Sequence, residues 1–182
     1  MNSGAPTIEL RPFSPGDLLA LIEGTDAFQR SFGGFAADGL RSFYVSGEVS
    51  EKWLEQLRQT PQPDPWTVGF AVVERASGLV IGSAGFKGPP DAEGVVEAAY
   101  GIVPEFEGKG FATEALRGLV AFASRAHRVR VLRAHTLPTE NASTRVLSKN
   151  SFHKLGEVID PEDGPVWRWE RSKLAPNTKD HP

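Results

Sequence analysis

The sequence predicts an α/β (α+β) protein with a mixed sheet, antiparallel in its first half and with helices on its faces. Two observations support this fold class. Strand-like segments joined by short turns fill residues 66–103, and from residue 95 onward strand and helix patterns alternate. The 182 residues, 40% of them hydrophobic, are enough for one ordinary core without disulfides or a structural metal.

The first third of the chain predicts one strand and two helices. Ile8 to Phe13 alternates apolar and polar residues, and Ser14-Pro15-Gly16-Asp17 is a turn that can cap a helix beginning near Asp17. Residues 24–48 are rich in glycine and aromatics without a clear period, which favours irregular structure. Ser50 to Gln59 has helical spacing and ends before a run of prolines.

The remainder predicts six strands and two helices. Trp66 to Arg75 and Leu79 to Lys87 form a hairpin pattern, and Gly108 to Arg125 carries the strongest helical periodicity. The other predicted strands are Val95 to Val103, Val129 to Thr136, Phe152 to Val158 and Val166 to Arg171, and Ser143 to Asn150 is a short helix. We expect a single domain over residues 1–174 and a polar, flexible tail over 175–182.

Composition narrows the class of function. With 20 basic and 23 acidic residues the net charge is −3, so no nucleic-acid or membrane partner is expected. The absence of cysteine excludes disulfides, thiolate metal sites and a cysteine nucleophile, and the four histidines lack metal-ligand spacing, so no metal is expected. No secretory signal or membrane-spanning run is visible, which favours a cytoplasmic location.

The segment from Gly108 to Ala112 opens the long helix directly after a strand. Glycines let a backbone approach a ligand closely, and free amides at a helix N-terminus favour phosphate; a simple turn that starts a helix is the other interpretation. Two nucleotide-binding patterns fail on spacing. Lys109 precedes Gly110 rather than following it, and Thr113 stands where a dinucleotide fingerprint needs glycine, although a dinucleotide-binding domain stays an alternative.

Two segments of the chain resemble signatures of the GNAT superfamily of N-acetyltransferases. They are Tyr100 to Ala115, which reads YGIVPEFEGKGFATEA, and Asn141 to Phe152, which reads NASTRVLSKNSF. The nearest branch is the one that contains ribosomal-protein N-terminal acetyltransferases. The resemblance implies a mostly antiparallel sheet of about seven strands and acetyl-CoA as co-substrate.

The resemblance also implies which residues bind the cofactor. The loop of Glu107, Gly108, Lys109, Gly110, Phe111 and Ala112 would hold the pyrophosphate through its amides. The strand from Tyr100 to Val103, which includes Ile102, would pair with the pantetheine arm, and Asn141 and Ser143 would line the other wall. The chain departs from the family pattern at three positions: Glu107 replaces an Arg or Gln, Ser151 a glycine and Leu147 a tyrosine.

Transfer of an acetyl group to an amine requires removal of a proton from the amine. Through the resemblance, Glu97 is the first candidate for the base, with His135 in reserve; a strand-end carboxylate and a hydrogen-bonded histidine are the structural alternatives. Tyr100 and Ser148 are candidate proton donors to the leaving thiolate, although Ser148 also suits a solvated helix face. Residues 24–48 would wall the acceptor site or form a separate hydrophobic cluster.

The predicted function is therefore transfer of acetyl from acetyl-CoA to a primary amine by direct attack on the thioester. The acceptor is either a protein N-terminus or a small-molecule amine, and the enzyme a monomer or homodimer. A non-catalytic coenzyme A-binding regulatory domain is the alternative, favoured by Glu107 and by the missing tyrosine.

Overall fold

A computed structural model describes residues 7–46, 51–60 and 62–172. The strands are β1 (Ile8–Pro12), β2 (Phe70–Glu74), β3 (Val80–Phe86), β4 (Val95–Ile102), β5 (Val131–Thr136), β6 (His153–Asp160) and β7 (Gly164–Ser172). The helices are α1 (Pro15–Glu23), α2 (Thr25–Phe32), α3 (Ser42–Val45), α4 (Glu51–Gln59), α5 (Phe111–Arg125) and α6 (Ala142–Lys149). A 3-10 turn covers Pro104–Phe106.

The seven strands form one mixed sheet in the order β1-β2-β3-β4-β5-β7-β6. Only the β4–β5 pairing is parallel among the described strands, and the others are antiparallel. The fold class predicted from the sequence is confirmed, as is the antiparallel first half of the sheet.

Local sequence explains where the helices begin. Ser14 and Asp17 form a capping box at the start of α1, and Asn141 and Thr144 form another at the start of α6. The longest helix, α5, buries an apolar stripe that includes Leu116 and Leu119 in the core and contacts β1, β3 and β4. No helix within the described ranges has the length and apolarity needed to cross a membrane.

Two sequence-based expectations require correction. Residues 24–48 are not irregular throughout, because α2 and α3 lie within them. The apolar face of α2 is short, with Phe28 and Phe32 four residues apart, and tertiary packing stabilises it: these two rings stack on each other, and Phe13 meets them edge-on and tilted. The second strand begins at Phe70 rather than Trp66, because Asp64 accepts hydrogen bonds from Trp66 and Thr67 and holds this segment in a turn. The predicted tail, 175–182, lies outside the described residues.

Candidate functional site

Strands β4 and β5 are paired over only three positions. Their register runs from Val95 opposite Val131 to Glu97 opposite Arg133, after which β4 continues beside β3 and β5 continues beside β7. The two strands therefore separate beyond Glu97. The separation leaves one backbone edge of β4, over residues 98–102, without a described strand partner.

A cleft of about 840 Å³ opens at this separation, and we call it the cofactor cleft. Eight predicted site residues line it: Tyr100, Ile102, Glu107, Gly108, Gly110, Phe111, Ala112 and Ser143. It is also lined by residues that sequence analysis did not name individually as binding the cofactor, namely Phe43, Gly101, Phe106, Thr113, Ala142, Arg145, Val146 and Lys149. The cleft thus joins the end of β4, the glycine loop and one face of α6.

The N-terminus of α5 opens into this cleft without a side-chain cap. Gly108 and Gly110 have φ values of 73° and 87°, in the left-handed region that favours glycine, and a Cβ at either position would meet no atom within 4 Å. The N–H of Glu114 donates to the carbonyl of Gly110 at 3.1 Å, which closes the first turn of the helix. The preceding amides have no partner inside the helix, so the loop offers them to an anion.

Positive charge reaches the cofactor cleft from α6. Arg145 and Lys149 are four residues apart, so they lie on one helix face, and both line the cleft. Asn150 fixes this orientation, since its buried amide donates to the carbonyl of Thr113 in the first turn of α5 at 3.2 Å. Lys109 instead lies 4.9 Å from the ring centre of Phe106. The spacing of Arg145 and Lys149 in the sequence places both cations on one helix face but does not indicate what that face adjoins.

Five predicted site residues do not line the cofactor cleft: Glu97, which is described below, and Lys109, Val103, Asn141 and Ser148. Val103 is fully buried, with its N–H donating to the carbonyl of Ile81 at 2.9 Å. The side-chain oxygen of Asn141 accepts from the N–H of Thr144 at 3.0 Å, within the cap of α6. The exposed Ser148 donates its hydroxyl to the carbonyl of Thr144 at 2.9 Å. These polar groups are therefore satisfied inside the protein.

A second cleft of about 570 Å³ adjoins the first and shares Phe43, Tyr100 and Gly101 with it. We call it the acceptor cleft, after the acceptor site that sequence analysis expected residues 24–48 to wall. Its remaining lining comes from α3, α4, the turn before β2, β3 with the following Lys87, and β4: Tyr44, Trp53, Thr67, Val68, Gly69, Ser83, Ala84, Gly85, Phe86, Lys87 and Ala99. Residues 24–48 thus contribute Phe43 and Tyr44 to its wall.

Tyr100 stands where the two clefts meet. Burial raises the pKa of its phenol to about 12, although a hydrogen bond with Ser143 acts in the opposite direction. The phenol is therefore protonated at neutral pH. The arrangement gives both clefts a common hydrogen-bond donor.

Glu97 and His135, predicted from the sequence as alternative bases, are in direct contact. Nδ1 of His135 and Nζ of Lys87 each lie 2.9 Å from the same Glu97 oxygen, Oε1. Nε of Arg168 lies 3.4 Å from Nε2 of His135. The contacts form a row of polar groups that runs from the end of β3 through β4 and β5 to β7.

This row of polar groups borders a third cleft of about 350 Å³, whose lining includes Glu97, His135, Tyr100 and Ser143. Burial of Lys87 works to lower its pKa, but the hydrogen bond and charge of Glu97, together with the charges of Asp160 and Asp163, outweigh it and raise that pKa. Lys87 is therefore a cation beside Glu97. Among the described residues, no group of three or more His, Asp or Glu side chains could hold a metal ion.

Comparison with known proteins places this geometry in a family. Residues 7–153 match the model of the acetyltransferase (GNAT) domain. An uncharacterized N-acetyltransferase, p20, from Bacillus licheniformis is 29% identical over 93 residues, which are 51% of this chain and 52% of that protein. The match thus spans about half the length of that relative.

Two solved structures share the fold. Ribosomal-protein-S5-alanine acetyltransferase from Vibrio fischeri superposes with a TM-score of 0.63 at 16% identity, covering 96% of this chain and 97% of that one. Aminoglycoside acetyltransferase AAC(6')-Ib in complex with coenzyme A superposes with a TM-score of 0.61 at 18% identity, covering 91% and 95%. The family match covers well over half of the 182 residues, and the chain belongs to the GNAT acetyltransferase superfamily.

Proposed function

We propose that the protein is an N-acetyltransferase that moves an acetyl group from acetyl-CoA to a primary amine. The observation that carries the proposal is the uncapped N-terminus of α5, which faces the same cleft as the cations Arg145 and Lys149. Free helix amides together with fixed positive charge fit a diphosphate. The structure of AAC(6')-Ib with coenzyme A, which has the same fold, supports this choice of ligand.

Each part of the cofactor has candidate residues. The amides of residues 108–112, with Arg145 and Lys149, would hold the phosphates, while Glu107 contributes an opposing charge. The unpaired edge of β4 at Tyr100 and Ile102 offers backbone groups to an extended pantetheine arm, because the odd-numbered residues of β4 bond toward β3. Val103 lacks a free amide for this purpose, because its N–H is already bonded to Ile81.

Acetyl-CoA, when bound, supplies a thioester whose carbonyl carbon the amine nitrogen attacks, so that an N–C bond replaces the C–S bond and a thiol leaves. An ammonium ion has no lone pair, so the acceptor must first lose a proton. We assign this task to the Glu97–His135 pair. Glu97 orients the imidazole through Nδ1, and the pair passes the proton to solvent.

Tyr100 is the proposed partner of the leaving sulfur. A thiol has a pKa of about 8.5, so complete proton transfer from a phenol with a pKa of about 12 is unfavourable. Tyr100 would instead donate a hydrogen bond to the developing thiolate, which then takes its proton from solvent. Ser148, bonded to the carbonyl of Thr144, is a weaker candidate for the same task.

The acceptor and the cellular setting are further parts of the proposal. The shared fold with the S5-alanine acetyltransferase supports a protein N-terminus, and the shared fold with the aminoglycoside enzyme supports a small amine. The absence of cysteine supports a cytoplasmic enzyme. The exposed carboxylate Glu107 at the cofactor cleft supports the second candidate, a non-catalytic coenzyme A-binding domain.

Thermal unfolding with acetyl-CoA tests the cofactor first, with NAD as the control. Ligand at 100 times its Kd stabilises by about 2.7 kcal/mol, which corresponds to a rise in Tm of about 5–10 °C for a chain of this size. A shift with NAD alone would favour a dinucleotide-binding domain. No shift with millimolar acetyl-CoA would contradict the proposal.

Thiol release with a panel of amines tests catalysis separately from binding. Binding without turnover of any amine would favour the regulatory domain. In an active enzyme, Glu97→Gln and His135→Gln should each lower kcat by about 100-fold while leaving the Kd of acetyl-CoA unchanged. If both variants kept the kcat and the pH–rate profile of the parent enzyme, Glu97 and His135 would have no part in the mechanism.

A further inference from the structure

Five aromatic residues are among the described residues that line the acceptor cleft. The rings of Tyr44 and Trp53, from α3 and α4, stack with their centres 6.1 Å apart and their planes 26° apart. Phe86, from β3, also lines the cleft, but its ring is largely buried against Trp66 and Phe122. Phe43 and Tyr100 stand where this cleft meets the cofactor cleft. A ligand in this cleft therefore contacts aromatic side chains next to Tyr100.

Among the described residues that line it, the cleft has no carboxylate to pair with a second positive charge. Of its described lining residues only Lys87 is charged, and its Nζ is 2.9 Å from Glu97. Two further polar groups are occupied within the protein: Tyr44 is hydrogen-bonded to Ser83, and the hydroxyl of Thr67 donates to Asp64 at 2.7 Å. A polyamine or an aminoglycoside would bring several ammonium groups against described lining residues that include no carboxylate.

The position of the proton-accepting pair fixes which end of the ligand goes inward. The acceptor cleft shares Lys87, Ala99 and Tyr100 with the third cleft, on which Glu97 and His135 border. A nucleophilic nitrogen must come close to Tyr100 and to this pair, so the remainder of the acceptor occupies the aromatic part. A cleft of about 570 Å³ is in the range that accommodates a small molecule.

We infer that the acceptor is a small primary amine attached through a short linker to an aromatic ring, with no second positive charge. The inference rests on the proposed function and names its substrate class. Rings stack on the walls, and the aromatic faces also attract the single ammonium before it loses its proton. An aromatic residue at a peptide N-terminus presents the same chemistry from another source.

Steady-state kinetics with acetyl-CoA tests the inference on matched amines. The panel contains the aromatic amine phenethylamine, together with butylamine, spermidine, kanamycin and a short neutral peptide beginning with phenylalanine. We expect phenethylamine to have a kcat/KM at least tenfold above the values for butylamine, spermidine and kanamycin. Preference for either polycation, or equal values for butylamine and phenethylamine, would overturn the inference. If the peptide has a still higher kcat/KM than phenethylamine, the aromatic amine that the cleft binds is the N-terminal residue of a protein.

A variant pair tests the role of the aromatic wall. Trp53→Leu should weaken the apparent affinity for phenethylamine, with a rise in its Michaelis constant of about tenfold, and leave both the Michaelis constant for butylamine and the Kd of acetyl-CoA unchanged. Phe35→Leu is the control, because Phe35 is 58% exposed and lines neither cleft. An equal rise in the Michaelis constants for both amines in Trp53→Leu would assign Trp53 a merely structural role and contradict the inference.

Failure of this inference can be separated from failure of the proposed function. If acetyl-CoA binds but no amine is turned over, the catalytic proposal fails, and calorimetric titration of the coenzyme A complex with phenethylamine and spermidine still tests the cleft. Tighter binding of phenethylamine would support the inference, and tighter binding of spermidine would reject it.

Discussion

The N-termini of α5 and α6 border the same cleft but satisfy their backbone amides in different ways. At α6, Asn141 and Thr144 exchange two hydrogen bonds, so the capping box occupies donors that a ligand would need. At α5, Gly110 contributes no side chain and the amides remain open. α6 offers the cleft side-chain charge instead. Of these two helix N-termini, only the uncapped one, at α5, therefore has amides available to a ligand.

The largest expected effect comes from closing the α5 terminus. Gly110→Asp places a carboxylate where the amides would meet a phosphate, so we expect the Kd of acetyl-CoA to rise at least 100-fold in a calorimetric titration. The fold should tolerate the change, because a Cβ there meets no atom within 4 Å and left-handed backbone costs a non-glycine residue about 1 kcal/mol.

Gly78→Asp is the matched control for this variant. Gly78 has φ of 73° and equally open space, but it lies in the β2–β3 turn away from the cofactor cleft. The two variants should have similar Tm values without ligand and differ only in ligand affinity. Equal affinity of both variants for acetyl-CoA would refute the site at α5.

Removal of the α6 cations should have a smaller effect. The double variant Arg145→Ala, Lys149→Ala should raise the Kd of acetyl-CoA about tenfold, because both side chains are exposed and each charge–phosphate contact is worth under about 1 kcal/mol in water. The salt dependence of binding should weaken as well. The control is the double variant Arg117→Ala, Arg125→Ala, which removes two α5 cations that line a separate groove. It should bind acetyl-CoA with the same Kd as the parent protein.

The cap of α6 provides the converse test. Asn141→Ala should lower the unfolding free energy by about 1 kcal/mol, and hence Tm by about 2–4 °C, without changing the Kd of acetyl-CoA. Asn141→Ser retains an oxygen that can cap the helix and should restore most of the Tm. A raised Kd in Asn141→Ala, with Tm unchanged, would show instead that Asn141 belongs to the cofactor wall, as sequence analysis predicted.

The same two helix ends show how far the sequence predicts the site. The glycine loop and α5 are local features that spacing identified as a loop and a helix, while the binding role of the loop came from the family resemblance; the seven strands followed from periodicity and turns. The contribution of α6 depends on how it packs against α5 through Asn150, which no local pattern encodes. For the same reason the aromatic wall was missed in part: Phe43, Tyr44 and Trp53 come together only through the arrangement of α3 and α4 over the sheet.

The smallest expected effect concerns the ionisation of the Tyr100 phenol when the pH is raised to 10. Tyr100 is hydrogen-bonded to Ser143 at the start of α6. The chain has two tyrosines, and burial raises the pKa of both Tyr44 and Tyr100 above the usual 10.0. Absorbance near 295 nm should therefore show well under half-ionisation at pH 10 in the folded protein. The same protein in denaturant should be about half-ionised there.

The sign of the accompanying stability change follows from the same pKa shifts. Since the folded protein keeps its phenolic protons above pH 10 while the unfolded chain loses them, this contribution to stability is complete below pH 10 and declines as the pH rises toward 12. Tyr100→Phe should keep the Tm at pH 7 and make it less sensitive to pH between 10 and 12. Half-ionisation of both tyrosines in the folded protein at pH 10 would mean that water reaches the junction of the clefts freely, and Tyr100 would then be an ordinary phenol.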